Sequence, residues 1–196
     1  MLIFKIAYWI GLVVQFAIRA PFNRTWKSGA KTVQRISVTE TILLGLLMIG
    51  NLVLPSIYSF TNWLDFANYN LPLWMGWLGV ALMACALFIF WRSHTDLKSN
   101  WSPSLEIRAD HTLITNGIYR SIRHPMYASQ WVWVFAQILL LQNWIAGPIG
   151  LLVFTLFYFL RVSAEEKMML ETFGDQYREY MIKTGSVIPQ LMTWKK

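Results

Sequence analysis

Long strings of apolar residues constrain this chain more than any motif does. Residues 2–18, about 38–60 and 71–91 run almost without charge, and a fourth stretch, about 126–161, is too long for one ordinary crossing. A helix needs about 20 apolar residues to span a hydrocarbon core roughly 30 Å thick. Near the middle of the fourth stretch, Gln142-Asn143-Trp144 and then Gly147-Pro148 form a polar, turn-forming break. That stretch reads as a helical hairpin with two short arms. The whole chain reads as an all-α integral membrane protein with about five transmembrane helices. Charged residues make up only 14% of it, against about 25% in soluble domains, so a small soluble domain is excluded.

The positions of the basic residues predict an orientation. All but Lys5 fall in three segments: 19–37 (Arg19, Arg24, Lys27, Lys31, Arg35), 92–125 (Arg92, Lys98, Arg108, Arg120, Arg123), and the tail from Arg161. The alternate connections, 61–70 and 142–148, hold none. Basic loops stay on the cytoplasmic side, so the N-terminus is expected outside and the C-terminus in the cytoplasm. The net charge of +7 then reflects membrane topology and not nucleic-acid binding. The first span is too long, and Arg19 too poorly placed, for a cleaved signal peptide. Cys85, in mid-span, is expected to be a small packing residue.

One membrane-embedded domain is expected. Residues 1–91 would supply three helices. Residues 92–196 would supply a core made of the hairpin 126–161, the preceding loop and the tail. Asn51, Glu40 and Lys5 are the only notable polar groups of the spans, with the latter two at span ends. The lack of ionisable residues at mid-depth argues against a pump or coupled transporter. Polar chemistry therefore belongs to the loop 92–125 and the tail, which would together form a cytoplasmic pocket.

In the loop, Asn116-Gly117 signals a turn and Pro125 suits the first turn of a helix. The fourth span is thus expected to begin at His124-Pro125, where free backbone N–H groups could seat an anion; a basic anchor with a proline cap is the plainer alternative. In the tail, Arg161 and Glu165 share one helix face, and Gly174 marks the helix end. An exposed ion pair would be worth well under about 1 kcal/mol. However, a cation at the membrane boundary is costly unless it snorkels or meets an anion. Glu166, Lys167 and Glu171 read as a solvated face.

The ordered set His111, Leu113, Ile114, Gly117, Tyr119, Arg123, His124, Pro125 and Tyr127, then Arg161, Glu165, Glu166, Phe173, Gly174, Tyr177 and Tyr180, resembles the isoprenylcysteine carboxyl methyltransferase family. That family is grouped with the membrane phospholipid methyltransferases. The likeness covers roughly residues 105–185. It implies methyl transfer from S-adenosylmethionine, with S-adenosylhomocysteine as product. By the same resemblance, His111, Thr112, Leu113, Ile114, Tyr119, His124, Pro125, Met126, Tyr127 and Glu165 would line the cofactor pocket, and Arg161 would meet the carboxylate of a lipophilic substrate. Where eukaryotic members carry Gln, seven residues before the His-x-Leu motif, this chain has Ser104.

Independent features agree with that chemistry. None of the 11 glycines forms a Gly-x-Gly-x-x-Gly and no strand–helix alternation occurs, which excludes a Rossmann-type methyltransferase. Joining a carboxylate to a sulfonium cancels charge, a reaction favoured away from water when both partners are oriented. A carboxylate is ionised at neutral pH and needs no base, and Arg, unlike Lys, can hold it in a bidentate pair. His94, His111 and His124 lie far apart with no Cys nearby, so no zinc spacing results. Membrane lipids and a lipophilic substrate arriving from the bilayer are the expected partners, with no metal and no nucleic acid. Two other readings remain at this stage: N-methylation of a phospholipid amine, and a non-enzymatic membrane protein on the same scaffold.

Overall fold

The computed structural model describes residues 2–28, 38–102 and 112–190. Seven α-helices occur among them: α1 (Leu2–Ser28), α2 (Val38–Met48), α3 (Leu54–Phe60), α4 (Leu73–Leu97), α5 (Pro125–Leu141), α6 (Pro148–Phe173) and α7 (Asp175–Lys183). A π-helical turn, Ile49–Val53, joins α2 and α3 into one rod. Four segments are long and apolar enough to cross a membrane: Leu2–Arg24, Val38–Phe60, Leu73–Leu97 and Pro148–Phe173. The fifth expected crossing corresponds to α5, which has 17 residues and at ~1.5 Å per residue spans roughly 26 Å.

Packing fixes the directions. Phe4 lies against Gly76, Met83 against Gly11, and Phe22 beside His94, so α1 and α4 run parallel. Lys5 donates to the Tyr58 carbonyl at 3.2 Å and Tyr8 to that of Asn51 at 2.6 Å, so the α2–α3 rod runs against α1. α5 runs against α4 and α6, as Gly79 beside Leu139 and Leu140, and Gly150 beside Gln137, both require. α5 carries Ser129, Gln130 and Gln137 and buries most of its surface within the bundle. The helices around it turn their apolar sides outward: Leu2, Ile3, Ile6, Ile10 and Val13 on α1, and Leu152, Leu156, Phe159 and Leu160 on α6, are exposed. So much exposed apolar surface suits lipid and not water.

The buried polar groups of the bundle have a specific cause. Pro55, at the start of α3, has no N–H. The carbonyls it would serve in the π and α patterns, those of Gly50 and Asn51, lose their helical donor. Side chains replace it. Gln137 Nε2 donates to Gly50 O at 3.0 Å and to Ala146 O at 2.7 Å. The Tyr8 hydroxyl donates to Asn51 O and lies 3.3 Å from Gln137 Oε1. A Cβ on Gly150 would sit 2.8 Å from that amide, so a side chain here would push the amide off its partners.

The two ends of the bundle differ. At one, the link between α3 and α4 is stitched to the α5–α6 turn by buried Asn143. Its Nδ2 donates to Leu64 O at 2.7 Å and to Asn68 Oδ1 at 3.0 Å, and its Oδ1 accepts from the N–H groups of Ile145 and Ala146. Exposed Trp63, Phe66, Trp74 and Trp144 ring this end, as aromatic residues do at a membrane interface. Every described Lys and Arg except Lys5 lies toward the other end.

Three expectations change. α1 does not end near residue 18 but continues to Ser28, so Arg19 is helical and about three further turns follow the apolar run. Cys85 is exposed on the outer face of α4 and is not a packing residue. The polar inventory of the spans omitted Gln137, which is fully buried.

Candidate active site

At the basic end, a cavity of about 540 Å³ opens between α1, α2, α4, α5, α6 and α7 and the segment around residues 112–124. Several local features shape its walls. Asn100 clamps the returning chain: its Oδ1 accepts from the Thr112 N–H at 3.1 Å and its Nδ2 donates to Thr112 Oγ1 at 3.2 Å. Gly117 has φ +60°, and a side chain there would run into the Asp96 carboxylate. That carboxylate accepts the Ile118 N–H at 2.8 Å. The turn is thereby seated on the end of α4 and presents Tyr119. The Tyr119 hydroxyl donates to Ser93 O at 3.3 Å, and its carbonyl accepts from Tyr180 at 2.6 Å. Pro125 opens α5 with His124 immediately before it.

A run of alternating charges crosses the wall. Arg161 Nη1 meets Glu40 Oε1 at 2.6 Å, and its Nε donates to the Tyr127 hydroxyl at 3.0 Å. That hydroxyl donates to Glu165 Oε2 at 2.6 Å. His124 follows, its Nδ1 3.6 Å from Glu165 and its Nε2 3.1 Å from Glu166. Glu166 in turn accepts from Nε and Nη2 of Arg123 at 3.2 and 3.1 Å. Burial opposes the His124 imidazolium, but hydrogen bonds and charge from Glu165 and Glu166 prevail and raise its pKa to about 9. With His124 protonated, three acids and three bases balance.

The chain after α7 closes this wall. Arg123 Nη1 donates to Met181 O at 3.1 Å and to Thr184 O. The Arg123 and His124 N–H groups donate to Gly185 O and Ser186 O at 2.8 and 2.9 Å. Tyr177 and Tyr180 of α7 face the cavity, and burial pushes both phenols up from their ordinary pKa.

Thr112, Leu113, Ile114, Tyr119, His124, Pro125, Met126, Tyr127, Arg161 and Glu165 all line this one cavity. His111 lies outside the described residues. Glu166 is not a solvated residue: it is only 23% exposed and joins Arg123 to His124. Its neighbours Lys167 and Glu171 do form an exposed pair. The anion that meets Arg161 at close range comes from α2, as Glu40, which is 7% exposed. Sequence reading placed Glu40 at a span end without a role; the signal available was an acid one residue after Thr39 at a helix start. Arg19, Gln15 and Asn51 also line the cavity and were given no role in it.

Residues 75–171 match the model of the isoprenylcysteine carboxyl methyltransferase family. The protein-S-isoprenylcysteine O-methyltransferase of Schizosaccharomyces pombe is 38% identical over 80 residues, 41% of this chain and 34% of that protein. That of Tribolium castaneum is 34% identical over 90 residues, 46% of this chain and 32% of that protein. That of Dictyostelium discoideum is 30% identical over 141 residues, 69% of this chain and 52% of that protein. Among solved structures, a eukaryotic intramembrane Ras methyltransferase, isoprenylcysteine carboxyl methyltransferase, is similar with a TM-score of 0.51 and 25% identity, over 83% of this chain and 56% of that one. The chain thus spans between about a third and a half of the length of these curated relatives.

Proposed function

As residues 75–171 match the model of the isoprenylcysteine carboxyl methyltransferase family, we propose that this chain methylates the carboxylate of a lipophilic acceptor, such as a C-terminal prenylated cysteine, using S-adenosylmethionine. The observation that carries this reading is the Tyr127 hydroxyl held between Arg161 and Glu165. It joins the His124–Tyr127 stretch to the α6 stretch at one cavity.

The donor set fits the cofactor. The cavity lies within the roughly 300–1,000 Å³ usual for small-molecule sites. Its wall combines apolar Leu113, Ile114 and Met126, aromatic Tyr119 and Tyr127, and the acid Glu165. Bound there, S-adenosylmethionine supplies a methyl group carried on a sulfonium cation. Glu165 would hold its ammonium or ribose hydroxyls, and Thr112 to Ile114, Tyr119 and His124 to Tyr127 would enclose the rest; His111 is assigned to the same cofactor by the motif alone. Arg161 would orient the acceptor carboxylate, its guanidinium fixed by Glu40 and Tyr127. The acceptor arrives ionised, so no residue need take a proton. Leu12, Phe16, Leu44, Leu47 and Leu52 line the cavity toward α1 and α2, where a lipid chain would come in sideways. In the bilayer, α5 would be the fifth crossing, with the N-terminus outside and the site on the cytoplasmic face.

Titrating detergent-solubilised protein with labelled S-adenosylmethionine tests the reading first; absence of saturable binding ends it. Methyl-ester formation on N-acetyl-S-farnesylcysteine, measured beside methylation of phosphatidylethanolamine, then tests the acceptor. Methylation of the amine alone would overturn the carboxylate assignment.

A further inference from the structure

Within the charge run of the cavity wall, Arg161 meets Glu40, and among the described residues the run as a whole is neutral. A ligand carboxylate entering this low-dielectric space adds a negative charge that the run does not balance. Arg19 supplies a positive charge outside it. It belongs to α1, lines the same cavity, and lies over Trp101 with its guanidinium carbon 5.2 Å from the ring centroid. Among the described residues it forms no ion pair. Its charge and that of Arg161 repel. Trp101 is 3% exposed, so the guanidinium is steadied by a buried ring and does not wave in solvent. An isolated cation at this depth is costly, and an anionic ligand would remove that cost. Beside it, the His94 ring lies tilted against Trp101, centroids 5.3 Å apart, and its buried Nε2 has no hydrogen-bond partner among the described residues. Gln15, one helical turn before Arg19, lines the same wall.

We infer that Arg19, backed by Trp101, is a second carboxylate-binding residue of the cavity, distinct from Arg161. This inference rests on the proposed methyl transfer, which brings two carboxylates into the cavity, that of the amino-acid end of the cofactor and that of the acceptor. Either can be the partner, and the chemistry at Arg19 is the same. A guanidinium suits it because its planar fork matches a carboxylate in two hydrogen bonds. The ring beneath Arg19 also limits the entropy lost when the ligand binds.

The test compares ligands that differ in a carboxylate, on the full chain in detergent. Affinities of the wild type and Arg19→Gln are measured for S-adenosylhomocysteine, for 5′-methylthioadenosine, which lacks the amino-acid end, for N-acetyl-S-farnesylcysteine and for its methyl ester. The expected result is at least a tenfold loss for one carboxylate-bearing ligand while its counterpart stays within twofold. Loss confined to S-adenosylhomocysteine identifies the cofactor carboxylate as the partner, and loss confined to the farnesylcysteine identifies that of the acceptor. Retention of all four affinities, or a parallel loss within each pair, overturns the inference and leaves Arg19 a boundary or packing residue. Should Arg19→Gln not fold, Arg19→Lys decides: its point charge is expected to bind the same carboxylate at least threefold more weakly, and wild-type affinity refutes the role. A wild-type chain that binds no S-adenosylhomocysteine would instead refute the methyltransferase reading itself.

Discussion

Tyr8→Phe should destabilise the protein, and Pro55→Ala should cancel most of that loss. Tyr8 supplies the hydrogen bond to Asn51 O, at 2.6 Å, that Pro55 cannot give. Removing a hydroxyl that satisfies a buried carbonyl costs about 1–2 kcal/mol in water-soluble proteins, and hydrogen bonds between membrane helices average about 0.6 kcal/mol. The single substitution should therefore cost roughly 0.6–2 kcal/mol. At about 2–4 °C per kcal/mol for a chain of this size, that is a fall of roughly 1–8 °C in Tm. Alanine at position 55 restores an N–H one turn from Asn51 O, so in its presence Tyr8→Phe should cost under about 0.5 kcal/mol. Thermal unfolding followed by tryptophan fluorescence in detergent, on the four members of the cycle, measures the coupling. Strict additivity would mean that Pro55 does not cause the arrangement at the π-helical turn.

Arg161→Lys should leave the affinity for S-adenosylmethionine nearly intact but abolish turnover, since lysine cannot reproduce the planar fork; isothermal binding and a methyl-transfer assay read the two separately, and undiminished turnover removes the substrate role. Glu165→Ala should weaken cofactor binding at least tenfold, an effect seen directly in the binding isotherm; an unchanged isotherm removes that assignment. Stability should also depend on alkaline pH through His124. Its folded pKa of about 9 exceeds the unfolded value of about 6.5, so its contribution is complete below about pH 6.5 and is lost as pH rises through about 9. Tm measured from pH 6 to 10 should fall across that window, and less steeply in Glu166→Gln.

Much of this organisation can be read from the residues because its causes are local. The apolar runs, the break at 142–147, the helix start at Pro125 and the end at Gly174 each follow from composition or from one residue's backbone. The expected site residues from Thr112 onward line one cavity because α5 and α6 are an adjoining antiparallel pair, a geometry that a short turn imposes. Glu40 was not legible as Arg161's partner. The two lie on helices far apart in sequence, and helical periodicity gives a face without naming its neighbour. Gln137 was passed over because one amide within an apolar run barely changes its hydropathy; only the carbonyls left open by Pro55 give it a task. Arg19 was misread for the opposite reason, since charge at the end of an apolar run imitates a loop. Glu166 was separated from Glu165 because adjacent helical residues point to different sides, although His124 reaches both through its two ring nitrogens.

The neutral sequence of charges from Glu40 to Arg123 restricts how such a chain can vary. Losing Arg161 alone removes the guanidinium that meets Glu40, and losing Glu166 alone takes from Arg123 and His124 the carboxylate they share. Exchanges made in pairs, such as Glu40→Gln with Arg161→Gln, keep the tally even and should preserve the fold better than either change alone. In related chains, therefore, positions 40 and 161 should keep or lose their ionic character together, an inherited coupling between two helices that meet only in three dimensions.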